Sequence, residues 1–119
     1  MSLQTVAKQF VAMCNQGKNF DVMHSMYAPN IVSVENDGKE TRDKDPVIET
    51  SKKWGELNAV NSEKVDGPFF SGPNSFAVHY VMDITPKATG KRITIEEVGV
   101  YTVENDKITR EQFFYDYKR

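Results

Sequence analysis

The chain has 119 residues, 39% of them hydrophobic, with seven Phe, five Tyr and one Trp. That is a single domain over residues 1–119, too short for an added cofactor module and too apolar for a disordered tail. Fifteen Lys and Arg against 17 Asp and Glu leave a net charge of -2 with the signs interspersed, which removes the usual electrostatic footprint of nucleic-acid or anionic-membrane binding.

Leu3, Val6, Ala7, Phe10, Val11 and Cys14 recur at three- and four-residue steps and Gly17 follows, which predicts a first helix over residues 3–16 with one buried stripe. Asn19 caps a second, shorter helix in which Phe20, Met23 and Tyr27 share a face before Pro29 ends it. Ile31 to Asn36 reads as a short strand closed by the Asp37-Gly38 turn. A third helix is expected from about Asp45, with Pro46 in its first turn and Val47, Ser51, Trp54 and Leu57 along one side.

Beyond Asn58 the pattern changes to four long strands, punctuated at Gly67-Pro68, Gly72-Pro73-Asn74, Pro86 to Gly90 and Glu104-Asn105-Asp106. Phe69 and Phe70 resume the strand after Gly67-Pro68, so that step reads as a bulge or bend. Phe76, Val78, Tyr80, Met82 and Ile84 alternate with more polar residues and should point inward. The predicted class is α+β, three N-terminal helices packed on a cone-shaped, curved antiparallel sheet, with a cavity open at one end. No apolar stretch approaches the roughly 20 residues of a membrane span, and the N-terminal residues do not read as a leader. A soluble, cytoplasmic protein is expected.

The lone Cys14 excludes an internal disulfide and reads as a buried core residue. Two histidines, His24 and His79, share no ligand spacing, so no metal site is expected. There is no phosphate loop, dinucleotide fingerprint or Ser or Cys nucleophile with a placed histidine, so no cofactor is expected.

The passage Met26-Tyr27-Ala28-Pro29-Asn30-Ile31-Val32-Ser33-Val34-Glu35 and the closing hairpin from Gly99 to Ile108, continued through Asp116, resemble the nuclear transport factor two superfamily, in particular its SnoaL-like, polyketide-cyclase-like branch. Both passages are scaffold, not catalytic signature. The resemblance covers nearly the whole chain and implies a cystatin-like α+β barrel and a homodimer. It also implies a range of functions: isomerases, cyclases, hydrolases, dehydratases and non-catalytic adaptors share the fold.

The resemblance to ketosteroid isomerases of this superfamily sets Glu35 where they carry a general base. Glu35 reads more simply as a surface glutamate beside the Asp37-Gly38 turn. Their two oxyanion donors are replaced by Val11 and Gly99, which argues against that enzyme as a literal assignment. If Tyr101 pairs with Glu111 and Gly99 with Phe113, then Glu97, Tyr101, Glu111, Phe113 and Tyr115 share one side. On the cavity side they offer acid–base chemistry, with Glu35, Glu97, Glu111 and Tyr101 as the catalytic candidates. One residue of slip would turn them outward, where Arg92 or Arg110 can pair with the glutamates. Tyr27, Trp54, Tyr80, Met82, Phe113 and Tyr115 are the candidate ligand walls, although any core has such residues.

Val98, Val100, Gln112 and Phe114 make the outer sheet face unusually apolar, which suits a homodimer with each patch meeting its own copy. Three readings remain open. One is a cofactor-free isomerase, cyclase or hydrolase acting on a small hydrophobic molecule; another is a non-catalytic ligand-binding or dimeric protein-interaction module; the third is a purely structural dimer with a filled cone.

Overall fold

The computed structural model describes residues 2–116. Helix α1 (Leu3–Asn15) starts at Ser2, whose Oγ accepts from the Thr5 amide at 3.2 Å, satisfying one of the amides that a helix start leaves unpaired. Helix α2 spans Asn19–Met26 and runs directly into strand β1 (Tyr27–Val34). Tyr27 is therefore a strand residue and not the end of the helical face: its backbone is already extended at φ -77 and ψ 135. Glu35 and Asn36 fall just past the strand, in a turn closed by Gly38 N–H to Glu35 carbonyl at 2.8 Å.

A three-residue strand β2 (Glu40–Arg42), unexpected from the sequence, returns against β1 before helix α3 (Lys44–Leu57). Val47 and Ile48 bury the inner side of α3, whereas Leu57, expected on the same stripe, is 65% exposed. The helix ends there and the chain turns out into β3, so Leu57 has no layer to pack against.

Strands β3 (Asn58–Phe70), β4 (Ser75–Pro86), β5 (Ile93–Glu104) and β6 (Lys107–Phe114) form the expected antiparallel meander. The β3–β4 register shifts between Asp66 and Phe69, so Gly67-Pro68 is a bulge inside one strand. The β5–β6 turn has positive φ at both Asn105 and Asp106, the signature of a tight hairpin whose twist matches its strands. Strand β1 joins the other side of β6 in parallel, giving the order β2-β1-β6-β5-β4-β3. The sheet is thus open, with β3 as a long edge.

Phe76, Val78, Tyr80, Met82 and Ile84 all point inward and are buried, as their alternation requires. They meet Val6, Ala7, Phe10 and Cys14 of α1. The rings of Phe10, Phe76 and Tyr101 pack within 4.5–5.4 Å of one another. Among the described residues no helix is long and apolar enough to cross a membrane.

Candidate functional site

The polar interior is assembled by strand register. Tyr101 pairs with Glu111 and Gly99 with Phe113, while Tyr80 pairs with Glu97 and Ser33 of β1 with Glu111. With side chains alternating, β5 and β6 turn Glu97, Tyr101 and Glu111 to the helix side of the sheet. Glu111 is 3% exposed, Glu97 6% and Tyr101 1%. This is the register that brings the predicted carboxylates inside.

Glu111 is held on both oxygens. The Tyr27 hydroxyl donates to Oε1 and the Ser33 hydroxyl donates to Oε2 at 2.7 Å. Burial nevertheless pushes its proton affinity up, from about 4.5 to about 7, and the nearby Glu35 and Glu97 add to the rise while Tyr27 and Ser33 oppose it. Tyr27 is raised well above the ordinary phenol range, first by burial and then by the charge of Glu111. The hydroxyls of Tyr80 and Tyr101 bond to each other, and burial raises both.

Gly99 makes this pair possible. A Cβ there would lie 2.9 Å from both Cε2 and Oη of Tyr101 and 3.1 Å from Cε2 of Tyr80. The phenols occupy the space that a side chain at position 99 would need.

Glu35 lies at the rim, half-buried, and its Oε2 accepts from the Tyr115 hydroxyl at 2.8 Å. On the other side, Asn19 Nδ2 donates to both carboxylate oxygens of Glu63 at 3.0 and 3.2 Å. Desolvation raises Glu63, with the Asn19 bond opposing and Glu97 adding. Cys14 is free and buried, pushed up to about 12 by burial with Glu63 adding, so it stays a thiol and is a poor nucleophile.

Sequence reasoning missed Ser33 and Glu63. Ser33 was accessible to it, because it precedes Glu35 by two residues and so shares its face. Glu63 carries no such signal, because the Asn19 partner and the inward turn of β3 arise only on folding. His24 is exposed, its carbonyl accepting from Lys44. His79 lies on the outer face 3.5 Å from Glu96.

Arg92 is engaged by Asp83, at 2.8 Å to Oδ1 and 2.7 Å to Oδ2, and Arg110 reaches Gln112 at 3.4 Å. In this register those arginines project away from Glu111, so the outward ion-pairing arrangement does not form around it.

The expected open cavity is not found at Glu111. Two shallow hollows among the described residues lie elsewhere: about 240 Å³ beside Phe69, Ser75, Ala77 and Val100, and about 410 Å³ beside Thr94, Glu96 and Asp116. Tyr27 meets Glu111 beneath the sheet and Tyr101 faces it across the β5–β6 ladder, and both belong to the same core as Tyr80 and Met82, with Trp54 and Phe113 packed against it. Rings large enough to wall a ligand site are also large enough to fill it. Among the described residues no group of three or more His, Cys, Asp or Glu side chains is placed to hold a metal ion.

A model of the SnoaL-like domain matches residues 1–115. The chain belongs to the SnoaL-like family. Among solved structures, a protein from Mesorhizobium loti provisionally named a SnoaL-like polyketide cyclase, with carbohydrate phosphatase as a second label, is 37% identical to this SnoaL-like chain; the match covers 97% of this chain and 100% of that one, with a TM-score of 0.91. A provisional polyketide cyclase from Pseudomonas putida is 13% identical over 98% of this chain and 92% of its own, with a TM-score of 0.76. A provisional isomerase from Bacillus subtilis is 13% identical over 94% and 84%, with a TM-score of 0.76. The last two share the fold alone. No curated protein matches this SnoaL-like chain.

Proposed function

We propose that the protein is a cofactor-free acid–base enzyme acting on a small hydrophobic molecule, with Glu111 as the proton-transferring group. The observation that carries this is the burial of Glu111 between Tyr27 and Ser33 with its proton affinity raised to about 7. A carboxylate so placed exchanges protons near neutral pH, which suits proton abstraction from a weak carbon acid. In this reading Glu111 takes a proton from a carbon beside a carbonyl, the C–H electrons form the enolate double bond, and the carbonyl electron pair moves onto oxygen. Tyr101, with Tyr80, donates to that oxygen, and Glu111 returns the proton to another atom of the same molecule. The net reaction is isomerisation; where the enolate carbon instead bonds to a second carbonyl carbon of the same molecule, whose C=O electrons move onto oxygen and take the proton, it is ring closure, in keeping with the name given to the Mesorhizobium loti relative.

Glu35 and Glu97 serve here as charges flanking Glu111, not as a separate base. Trp54, Met82, Phe113 and Tyr115 form the walls that a ligand displaces, with Tyr27 and Tyr80 at its polar end.

The test is a thermal-shift screen of small carbonyl, epoxide and polyketide-like compounds, in which a ligand at 100 times its Kd adds roughly 2.7 kcal/mol. A hit turned over by the parent protein, and bound but not turned over by Glu111→Gln, supports the reading. A hit that Glu111→Gln turns over equally well overturns it.

The alternative reading is a non-catalytic binding or interaction module. The filled interior favours its protein-interaction form over ligand binding, as does an outer sheet face that exposes Phe69, Val98 and Phe114, the last at 47%. A homodimer through that face buries this apolar surface. A charge at Val98, as in Val98→Glu, should shift such a dimer to monomer in analytical ultracentrifugation.

A further inference from the structure

We infer that the open end of the sheet binds a small hydrophobic amine, with its hydrocarbon body on the row Val60, Ile84 and Ile93 and its ammonium group at Glu63. Strand register builds the row: Val60 of β3 pairs with Ile84 of β4, and Ile84 pairs with Ile93 of β5. Directly paired residues share a face, and Ile84 points to the helix side, 3% exposed. In the next row Met82 and Ile95 are buried as well, whereas Val60 and Ile93 are 48% and 45% exposed. An apolar strip of the inner face is thus left uncovered where the helix layer ends. Leu57, also exposed, belongs to this end, because its carbonyl accepts from the Lys87 N–H just past β4 at 2.9 Å. Aliphatic side chains gathered in this way mark a contact surface, as isolated ones do not.

Charge selects the occupant. Glu63 pairs with Met82 in the next row and so faces the same side, half-buried. Its carboxylate accepts from the Asn19 side-chain amide and, among the described residues, forms no ion pair. One neutral amide leaves acceptor positions of the carboxylate unused and its charge without a cation. Glu97, buried one row deeper on β5, adds a second carboxyl to this side. An ammonium group brings three donors and the missing charge, and an apolar body attached to it covers the strip. The cations of this end serve the other side or solvent: Arg92 is held by Asp83 on the outer face, and Lys87 and Lys91 are exposed on the β4–β5 connection.

Isothermal titration calorimetry at pH 7 with phenylbutylamine, phenylbutanol and phenylbutyrate compares one apolar body under three head groups. The amine should bind about tenfold tighter than the alcohol, as a charge-assisted bond requires, and the acid should bind weakest. Glu63→Gln keeps an acceptor for Asn19 and should bring the amine down to the affinity of the alcohol, with the alcohol unchanged. Ile93→Ser, at an exposed position, should weaken amine and alcohol alike. An amine no tighter than the alcohol would overturn the inference, and so would an advantage that survives Glu63→Gln, affinities unmoved by Ile93→Ser, or no binding of any of the three. Tightest binding of the acid would also overturn it, placing the head group at Lys87 or Lys91. None of these results bears on turnover lost through Glu111→Gln, so this site and the catalytic reading of Glu111 can fail separately.

Discussion

The Tyr27 hydroxyl donates to Oε1 of Glu111, tying the first residue of β1 to the middle of β6 across the only parallel strand pair of the described sheet. A phenol and a carboxylate 84 positions apart are thus one buried, hydrogen-bonded titrating pair. Its energetics can be read without knowing a substrate.

Glu111 should make stability depend on pH. Its folded value of about 7 lies above its ordinary 4.5, so between these values the folded chain holds more protons than the unfolded one. Stability from this group is fully present below pH 4.5 and is lost as pH rises to about 7, by roughly 3 kcal/mol at most. Glu111→Gln mimics the protonated acid and should flatten that slope. Urea unfolding at pH 5 and pH 8 checks it, and matching slopes in parent and variant would refute the assignment.

Tyr27→Phe should be costlier at high pH than at low. The lost bond serves a charged carboxylate at pH 8, where about 1.5–3 kcal/mol is expected, and a neutral acid at pH 5, where about 1 kcal/mol is expected. Equal losses at the two pH values would mean that Glu111 does not ionise in this range.

Gly99→Ala should destabilise by about 1–3 kcal/mol, because its Cβ would sit 2.9 Å from a Tyr101 ring too tightly packed to move. Adding Tyr101→Phe removes one of the two clashing atoms, so the double variant should cost less than the sum of the singles. Strict additivity in denaturant melts would argue against the contact.

Asn15 closes the exposed β3 edge. Its Nδ2 donates to the Val65 carbonyl and its Oδ1 accepts from the Val65 amide, both at 2.9 Å, as a neighbouring strand would. Asn15→Ala leaves both groups of a buried residue unpaired and should cost about 1–3 kcal/mol. Asn15→Asp keeps only the acceptor and should fall between. Backbone exchange at the Val65 amide should accelerate in Asn15→Ala and much less in Asn15→Asp, which still accepts from it.

Asp43 adopts φ 77 and ψ 147 just before α3, with no side-chain cap bond to repay it. Strain of this kind costs about 1–3 kcal/mol, against about 0.5–1 kcal/mol of extra chain entropy for glycine. Asp43→Gly should therefore stabilise by about 1 kcal/mol, seen as a rise in the denaturation midpoint.

The sequence by itself determined the helix–helix–strand–helix order, the four-strand meander and the inward face of β4, because each rests on local periodicity and turn chemistry. It also carried the condition on which Glu97, Tyr101 and Glu111 share a side. Whether that condition holds depends on hairpin register: the Asn105-Asp106 turn pairs Glu104 with Lys107 and Val103 with Ile108, and a bulge at Thr109 then shifts the ladder by one residue so that Tyr101 meets Glu111. Tertiary structure alone decided that Tyr27 starts a strand, that β1 lies parallel beside β6, and that Ser33 and Tyr27 converge on Glu111. These pairings close loops of about 80 residues, and no local pattern encodes which distant strand will be the neighbour. It also decided that phenol rings fill the space under the sheet, since alternation gives the direction of a side chain but not the volume left around it.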